Sequence, residues 1–294
     1  MKKWIHDLDK KTFGSGTYSQ SYQDELLDVI FANIGTTNSP PYCVEFGFNS
    51  TSLTEGSGVN VAKLILCDHW DSLLIDGENE NPAINLRRHY LLSTNISEVF
   101  QSHDVPSQPD YISIDVDSTD LWLFEALLKG YRARVFSVEY NCNYPLDAAI
   151  TFPDDPNERW EGDRGYGASL KALTLVAENN SYSLLWVVPG LDAFFIRNDL
   201  IDDGSGQICF PFSRWKQCTG ITVHKPLHNS SRLDMFIDYE VYVKTSGDIG
   251  ESRKSAYPIC KKYLLDSFTS KIIRKVKRVL ARFRSIVSQR VVNR

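Results

Sequence analysis

The sequence predicts an α/β fold in which a parallel sheet ends in an antiparallel hairpin. Residues 42–46 have the composition of a buried strand, and a loop of small polar residues and a helical pattern from Val59 follow them. Residues 111–141 read strand, helix, strand, which is typical of a right-handed parallel βαβ unit. Residues 182–197 are two apolar runs around a short loop with Pro and Gly, as in a β-hairpin.

The predicted elements begin with a helix that follows a loose lead-in. Residues 1–17 are polar and contain glycine, so they predict no regular structure. Asp24 and Glu25 suit the positive end of the helix that follows, and Gly35 suits its last turn. Its apolar face is formed by Leu26, Leu27, Ile30 and Phe31.

The first strand, residues 42–46, is where we expect a ligand. Glu45 stands just before the strand breaks at Gly47. In nucleotide-type α/β sheets, ligands lie at the carboxyl ends of strands, against backbone N–H groups of the next loop. The sequence has no G-x-G-x-x-G fingerprint for a dinucleotide here. The alternative interpretation is an ordinary strand and loop without a ligand.

Acids also follow the second predicted strand, residues 72–75. Asp76 and Glu78 lie at its tip, in the position where an acid holds the ribose hydroxyls of a nucleotide. A solvated turn is the alternative. Residues 82–88 then look helical, and residues 90–94 predict a third strand.

Four oxygen-bearing side chains are expected at one edge of the sheet. Asp115 and Asp117 alternate with apolar residues, so they lie on one side of a strand, and Glu139 and Asn141 end the next strand. Parallel strands put all four at the same edge, where they could ligate Mg²⁺, Mn²⁺ or Ca²⁺. In the alternative, Asp120 caps the next helix and only Asp115 meets a ligand.

The segments that follow predict a cover and an extension. Residues 144–165 form a long irregular stretch rich in proline and acids, which predicts an ordered lid. Residues 201–266 predict an irregular extension with short strands at 221–223 and 239–243.

Residues 267–294 predict a basic amphipathic helix. They contain no acid, and apolar residues recur at helical spacing among lysines and arginines. Such a helix packs on its own domain, lies on an anionic membrane surface or docks to a partner protein, and the sequence leaves these three open.

Composition narrows the class of protein. The net charge of −5 gives no general expectation of nucleic-acid binding. Asp7 and Asp9 interrupt the N-terminal segment, which lacks the apolar core of a signal peptide. The six cysteines are scattered and form no C-x-x-C pair, so we expect reduced thiols in a cytoplasmic protein without a zinc site.

The ordered set of motifs resembles S-adenosylmethionine-dependent methyltransferases of the FkbM type over about residues 18–200. The resemblance implies a Rossmann-like seven-stranded methyltransferase sheet whose last strand is antiparallel, followed here by a C-terminal extension. The motifs that carry it are residues 19–25, 44–47, 74–77, 111–117, 138–141, 166–170 and 191–197, with Asp120 and Trp122.

The resemblance also implies roles for individual residues. Glu45 and Gly47 would line the methionine part of the cofactor, Asp76 or Glu78 would hold the ribose hydroxyls, and Asn95 would approach the adenine.

Two positions depart from the usual pattern of the family. Asn49 stands where a second glycine is usual, although the loop can still bind through it, and Ser118 replaces a glycine after the fourth strand.

By the same resemblance, Asp115 would face cofactor or substrate. Asp115, Asp117 or Glu139 would act as a base toward a hydroxyl acceptor, or would bind a metal that lowers the pKa of that hydroxyl.

These features lead to three functional hypotheses. The first is a methyltransferase acting on oxygen, with a small-molecule or glycan acceptor. The second is a metal-dependent glycosyl or nucleotidyl transferase that uses the pair Asp115 and Asp117. The third is a non-catalytic methyltransferase-like binding module, with Asn49 marking a site that has lost its activity.

Overall fold

A mostly parallel sheet organises the molecule. The computed structural model describes residues 1–56, 58–204 and 209–265. Its strands are β1 (Tyr42–Phe46), β2 (Asp71–Asp76), β3 (Leu86–Arg88), β4 (Tyr111–Ile114), β5 (Val135–Glu139), β6 (Ile150–Thr151), β7 (Tyr182–Val187), β8 (Asp192–Arg197) and β9 (Ile237–Asp238).

Seven of these strands form one sheet in the order β3-β2-β1-β4-β5-β8-β7. Strands β1 to β5 pair with one another in parallel, and β8 runs antiparallel to both β5 and β7. The sheet is Rossmann-like, and the predicted α/β class, the hairpin and the antiparallel last strand are confirmed. The central strands are buried along nearly their whole length, as in parallel sheets that are covered on both faces.

Helices connect and cover the strands. Helix α5 (Asp120–Leu128) packs against β4 and β5, and α6 (Leu170–Asn179) packs against β7 and α5. Leu26, Leu27 and Ile30 of α2 (Gln23–Ile34) are buried as predicted, and Gly35 ends that helix with a φ of 66°. The helices are α1 (Lys3–Leu8), α2 (Gln23–Ile34), α3 (Ala62–Leu66), α4 (Ile96–Ser102), α5 (Asp120–Leu128), α6 (Leu170–Asn179), α7 (Asn198–Ile201), α8 (Tyr239–Lys244) and α9 (Ile249–Leu264).

The prediction for the third strand is wrong. The strand is Leu86–Arg88, and residues 90–94 contain none. A single 3-10 turn at Pro82–Ile84 replaces the predicted helix, because Asn85 adopts a left-handed conformation with φ of 55° and redirects the chain into the edge of the sheet.

The lead-in and the extension contain more regular structure than predicted. Residues 1–17 include α1, whose Ile5 and Leu8 are buried in the main core. Residues 201–266 include α8 and the long helix α9, and residues 239–243, predicted as a strand, lie in α8. Residues 221–223 form no strand either.

A second small core joins the predicted lid to the extension. Strand β6, inside the segment 144–165, pairs antiparallel with β9 of the extension. Phe152 packs against Phe236 with ring centroids 6.0 Å apart, and Leu264 of α9 belongs to the same buried cluster. The predicted boundary near residue 200 therefore does not separate two packing units.

Two further expectations concern the C-terminal basic helix and membrane-spanning segments. The predicted basic helix, residues 267–294, lies outside the described residues. Across the three described ranges, no helix has both the length and the apolar character needed to cross a membrane.

Candidate functional site

A cavity of about 740 Å³ opens at the carboxyl edge of the sheet. Its floor is built by the ends of β1, β2, β4 and β5 and by the first residue of β8, and the predicted lid contributes Arg159 and Trp160. Val223 and His224 of the extension complete the wall. The volume lies within the range of small-molecule and cofactor sites.

Gly47 is the point where two loops of the floor touch. It has a φ of 85°, and a Cβ there would lie 1.3 Å from the carbonyl oxygen of Asp115. The Asp115 amide donates to the Phe46 carbonyl at 3.2 Å, which continues the pairing of β1 with β4. Only glycine allows this approach, so Gly47 brings the β1 loop against the acidic β4 loop.

Glu45 binds the protein's own backbone. Its two carboxylate oxygens accept the N–H groups of Asn60 and Val61 at 3.1 and 3.0 Å. The Asn60 amide group in turn donates to Asp192 at 3.3 Å, and Gln23 donates to the same Asp192 oxygen at 2.9 Å. Glu45 still lines the cavity, but its carboxylate fixes the loop before α3.

Asp76 lies on the cavity wall as predicted, whereas Glu78 does not. Asp76 Oδ1 accepts the backbone N–H groups of Glu78 and Asn79 at 2.7 and 2.6 Å, and these bonds shape the turn after β2. Glu78 is exposed and is not among the cavity-lining residues. Asn49 lines the cavity.

Asn95 is not at the cavity either. Its Oδ1 accepts the Leu92 N–H at 2.8 Å and its amide group donates to the Tyr90 carbonyl at 3.0 Å, just before α4. The expectation fails because it assumed that the third strand ends near residue 94. The strand ends at Arg88, so the residues that reach the cavity after it are His89, Tyr90 and Leu91.

Asp115, Asp117 and Glu139 come together at the edge between β4 and β5. Each offers a carboxylate oxygen, and these oxygens all lie within 4.8 Å of one another. Asp115 and Asp117 do not lie along a strand as predicted, because β4 ends at Ile114 and Asp117 has a φ of 60° in the following turn. Glu139 is the last residue of β5.

Asn141 does not join this group. Its amide donates to the carbonyls of Arg164 and Tyr166, both at 2.8 Å, and its Oδ1 accepts from Asn143 at 3.0 Å. These bonds tie β5 to the segment before α6, so Asn141 is a structural residue and its prediction as a metal ligand is wrong.

The carboxyl groups of the site have raised pKa values. Burial, and then repulsion from Asp117 and Asp120, raises the pKa of Asp115 well above the ordinary range. Burial, and then repulsion from Asp115 and Asp120, does the same to the pKa of Glu139. Burial raises the pKa of Asp117, while His224 opposes the shift. Burial also raises the pKa of Asp120 and that of Glu45 to about 7, despite the backbone N–H groups that favour their charged forms.

These shifts predict that the ligand-free protein loses stability as the pH rises from 5.5 to 7.5. Glu45 and Asp120 bind protons more tightly when folded than when unfolded, so their contribution is complete below their ordinary pKa values and is lost as the pH passes 7. Each unit of pKa difference corresponds to about 1.4 kcal/mol. Calorimetric melting temperatures should fall across this range, and Asp120→Asn should flatten the decrease. A constant or rising melting temperature would contradict the assignment.

Sequence reasoning missed part of the site. Asp192 is buried and lines the cavity because β8 pairs with β5 in the register that sets it opposite Glu139. An acid at the first residue of the hairpin's second strand was a usable signal. No feature of the sequence pointed to Gln23 or Asn60 as residues of the site.

The roof of the cavity is tied to the edge of the sheet. The guanidinium of Arg159 lies 4.5 Å from the ring centroid of Tyr90, and the Ser93 hydroxyl donates to Asp154 at 2.6 Å. The predicted role of residues 144–165 as an ordered cover agrees with these contacts, since the same segment supplies Arg159 and Trp160 to the wall.

Comparison of the chain with protein-family models and with curated proteins finds no match. The class of the site is therefore defined by fold and geometry: a Rossmann-like sheet with a carboxylate-rich cavity at its carboxyl edge.

Proposed function

We propose that the chain is an S-adenosylmethionine-dependent methyltransferase that acts on a hydroxyl group of a small molecule or glycan. The observation that carries this proposal is the charge of the cavity. Six carboxylates line it, against one arginine, Arg159, among the lining residues that the structure describes. The six are Glu45, Asp76, Asp115, Asp117, Glu139 and Asp192.

Such a cavity favours a cationic ligand. Charges of like sign in a partly desolvated site repel strongly, so a dinucleotide or another phosphate ester is disfavoured unless a metal intervenes. S-adenosylmethionine carries a positive sulfonium and a positive ammonium group, and its ribose hydroxyls suit a carboxylate. The strand order with β8 antiparallel supports the methyltransferase type of Rossmann-like sheet that the sequence resemblance implies.

The residues present fit this cofactor. Asp76 would hold the ribose hydroxyls, because the three described hydrogen bonds to its carboxylate all go to Oδ1. Asp192, held by Gln23 and Asn60, would face the ammonium group. When bound, S-adenosylmethionine supplies a methyl group on a positively charged sulfur.

The chain's own residues have two tasks in the transfer. The first is to hold the acceptor in line and to exclude water, and the roof residues Arg159 and Trp160 suit this. The second is to accept the hydroxyl proton. Asp115, Asp117 and Glu139 are the candidates, because all three line the cavity and burial raises the pKa of each.

A second candidate is a metal-dependent glycosyl or nucleotidyl transferase. The clustered oxygens of Asp115, Asp117 and Glu139 favour it, because a metal ion there would bridge to a diphosphate. Titration with sugar nucleotides plus Mn²⁺, beside titration with S-adenosylmethionine, distinguishes the two functions. A third outcome, cofactor binding with no methyl transfer to any acceptor, would support the binding-module hypothesis.

S-adenosylmethionine is expected to raise the melting temperature of the protein, since a ligand that binds the native state stabilises it. Asp76→Asn should weaken binding about 10- to 100-fold, because the amide keeps the Oδ1 acceptor of the turn but removes the charge that strengthens hydrogen bonds to ribose. Calorimetric titration measures both effects.

Asp71→Asn is the matched control. Asp71 is exposed at the opposite end of the same strand, so its substitution should leave the affinity unchanged. The absence of heat and of a thermal shift at millimolar cofactor would reject the proposed function.

A further inference from the structure

Among the described residues, two clusters of side chains have the ligand types and spacing of a metal site. Glu161, Asp163 and His228 form one, and Asp115, Asp117 and Glu139 form the other. In each cluster the ligand atoms lie within 4.8 Å of one another. The two clusters differ in whether a positively charged side chain of the protein is paired with them.

The first cluster is neutralised by the protein itself. Arg232 is buried, and its Nη1 lies 3.3 Å from Glu161 and 3.7 Å from Asp163. The oxygens of Asp163 also accept the backbone N–H groups of Gly165 and His228, at 2.9 and 2.8 Å. The guanidinium of Arg232 therefore supplies the positive charge that a metal ion would otherwise bring.

The second cluster has no such cation. Among the described residues, no lysine or arginine forms an ion pair with Asp115, Asp117 or Glu139. Arg159 lines the same cavity, but its guanidinium lies over the ring of Tyr90. His224 is the positively chargeable group that acts on Asp117.

A fourth carboxylate, that of Asp120, lies beside this second cluster. Asp120 is fully buried, and its Oδ1 accepts the N–H of Val116, between the two aspartates of the cluster, at 2.7 Å. Its Oδ2 has no hydrogen-bond partner among the described residues, and neither has the buried Oε2 of Glu139. Both oxygens flank Gly167, at 3.5 and 4.0 Å from the position that a Cβ there would take.

Buried oxygens without partners are rare, because leaving them unpaired costs free energy. Here two such oxygens belong to a group of four acids with no lysine or arginine paired to it. A divalent cation would supply the missing charge. Oxygen-only ligands are typical of Mg²⁺, Mn²⁺ and Ca²⁺ sites.

We propose that Asp115, Asp117 and Glu139 bind one divalent cation of the oxygen-preferring kind, with Asp120 holding the Asp115–Asp117 loop against it. The site lies on the wall of the cavity, so the ion has open positions toward a ligand. In the methyltransferase proposed above, these positions would take the oxygen of the acceptor hydroxyl and favour the loss of its proton. That role rests on the proposed function, whereas the binding of the ion does not.

The test uses the full chain, freed of metal with a chelator and titrated calorimetrically with Ca²⁺, Mg²⁺ and Mn²⁺ chlorides in the absence of any cofactor. We expect one ion per chain, and we expect Asp117→Asn and Glu139→Gln each to weaken its binding by about tenfold or more. Glu161→Gln is the matched control in the neutralised cluster, and binding should be unchanged in it.

Two near-isosteric variants, Asp117→Asn and Glu139→Gln, are used so that misfolding of one does not invalidate the test. Circular dichroism identifies a variant that does not fold, and the other variant then decides. Absence of binding at millimolar metal, binding retained in both cavity variants, or binding lost in Glu161→Gln would each overturn the proposal. Because the titration contains no cofactor, its failure leaves the S-adenosylmethionine titration unaffected, and the reverse also holds.

Discussion

A Gly47→Ala variant is expected to lose about 3 kcal/mol or more of unfolding free energy. The methyl group would overlap the Asp115 carbonyl oxygen, which lies 1.3 Å from the Cβ position, and the backbone would have to move. A positive φ adds strain for any residue with a side chain. Urea unfolding measures the loss, and cofactor binding should disappear with it.

The Gly190→Ala variant separates the effect of the steric overlap from the effect of the positive φ. Gly190 also has a positive φ, of 78°, but nothing lies within 4 Å of its Cβ position. Its substitution should therefore cost only the backbone strain, about 1–2 kcal/mol. Equal losses in the two variants would show that the contact between Gly47 and the β4 loop does not constrain the fold.

Arg232→Met is expected to lower the unfolding free energy by about 3–5 kcal/mol, the usual cost of removing one partner from a buried ion pair. The change leaves Asp163, which is 0% exposed, without its cation. It also removes the donor to the Arg159 carbonyl, at 2.7 Å, which holds the roof. Cofactor affinity should fall together with stability.

Lys244→Met is the control for Arg232→Met. Lys244 pairs with Glu240 at 2.8 Å on the surface of a helix, where such pairs contribute little to stability because water and salt screen them. If both variants lost the same small amount, the cluster of Glu161, Asp163 and Arg232 would not anchor the roof.

The sheet was largely predictable because its signals are local. Buried strands such as residues 42–46 and the hairpin 182–197 are short apolar runs bounded by turn residues. The convergence of Asp115, Asp117 and Glu139 followed from the rule that consecutive parallel strands put their carboxyl ends at one edge.

The missed features depend on distant partners. Strand β3 is three residues long and exists because it pairs with β2, so its composition alone does not identify it. The Asn95 prediction failed with it. Asp192 reaches the site through antiparallel register with Glu139, and α9 is held by a core that includes Phe152, far away in sequence. Such pairings are not encoded in any single stretch.

The residues that line the cavity are synthesised in a fixed order, and its wall is completed late. The floor is complete once residue 192 is made, whereas Val223 and His224 follow some thirty residues later. Chains fold from the N-terminus as they leave the ribosome. A nascent chain that ends before Cys218 also lacks the carbonyl that accepts a hydrogen bond from the Tyr140 hydroxyl at 2.9 Å. A chain that ends before these residues therefore has a cavity that is open on the side that Val223 and His224 close.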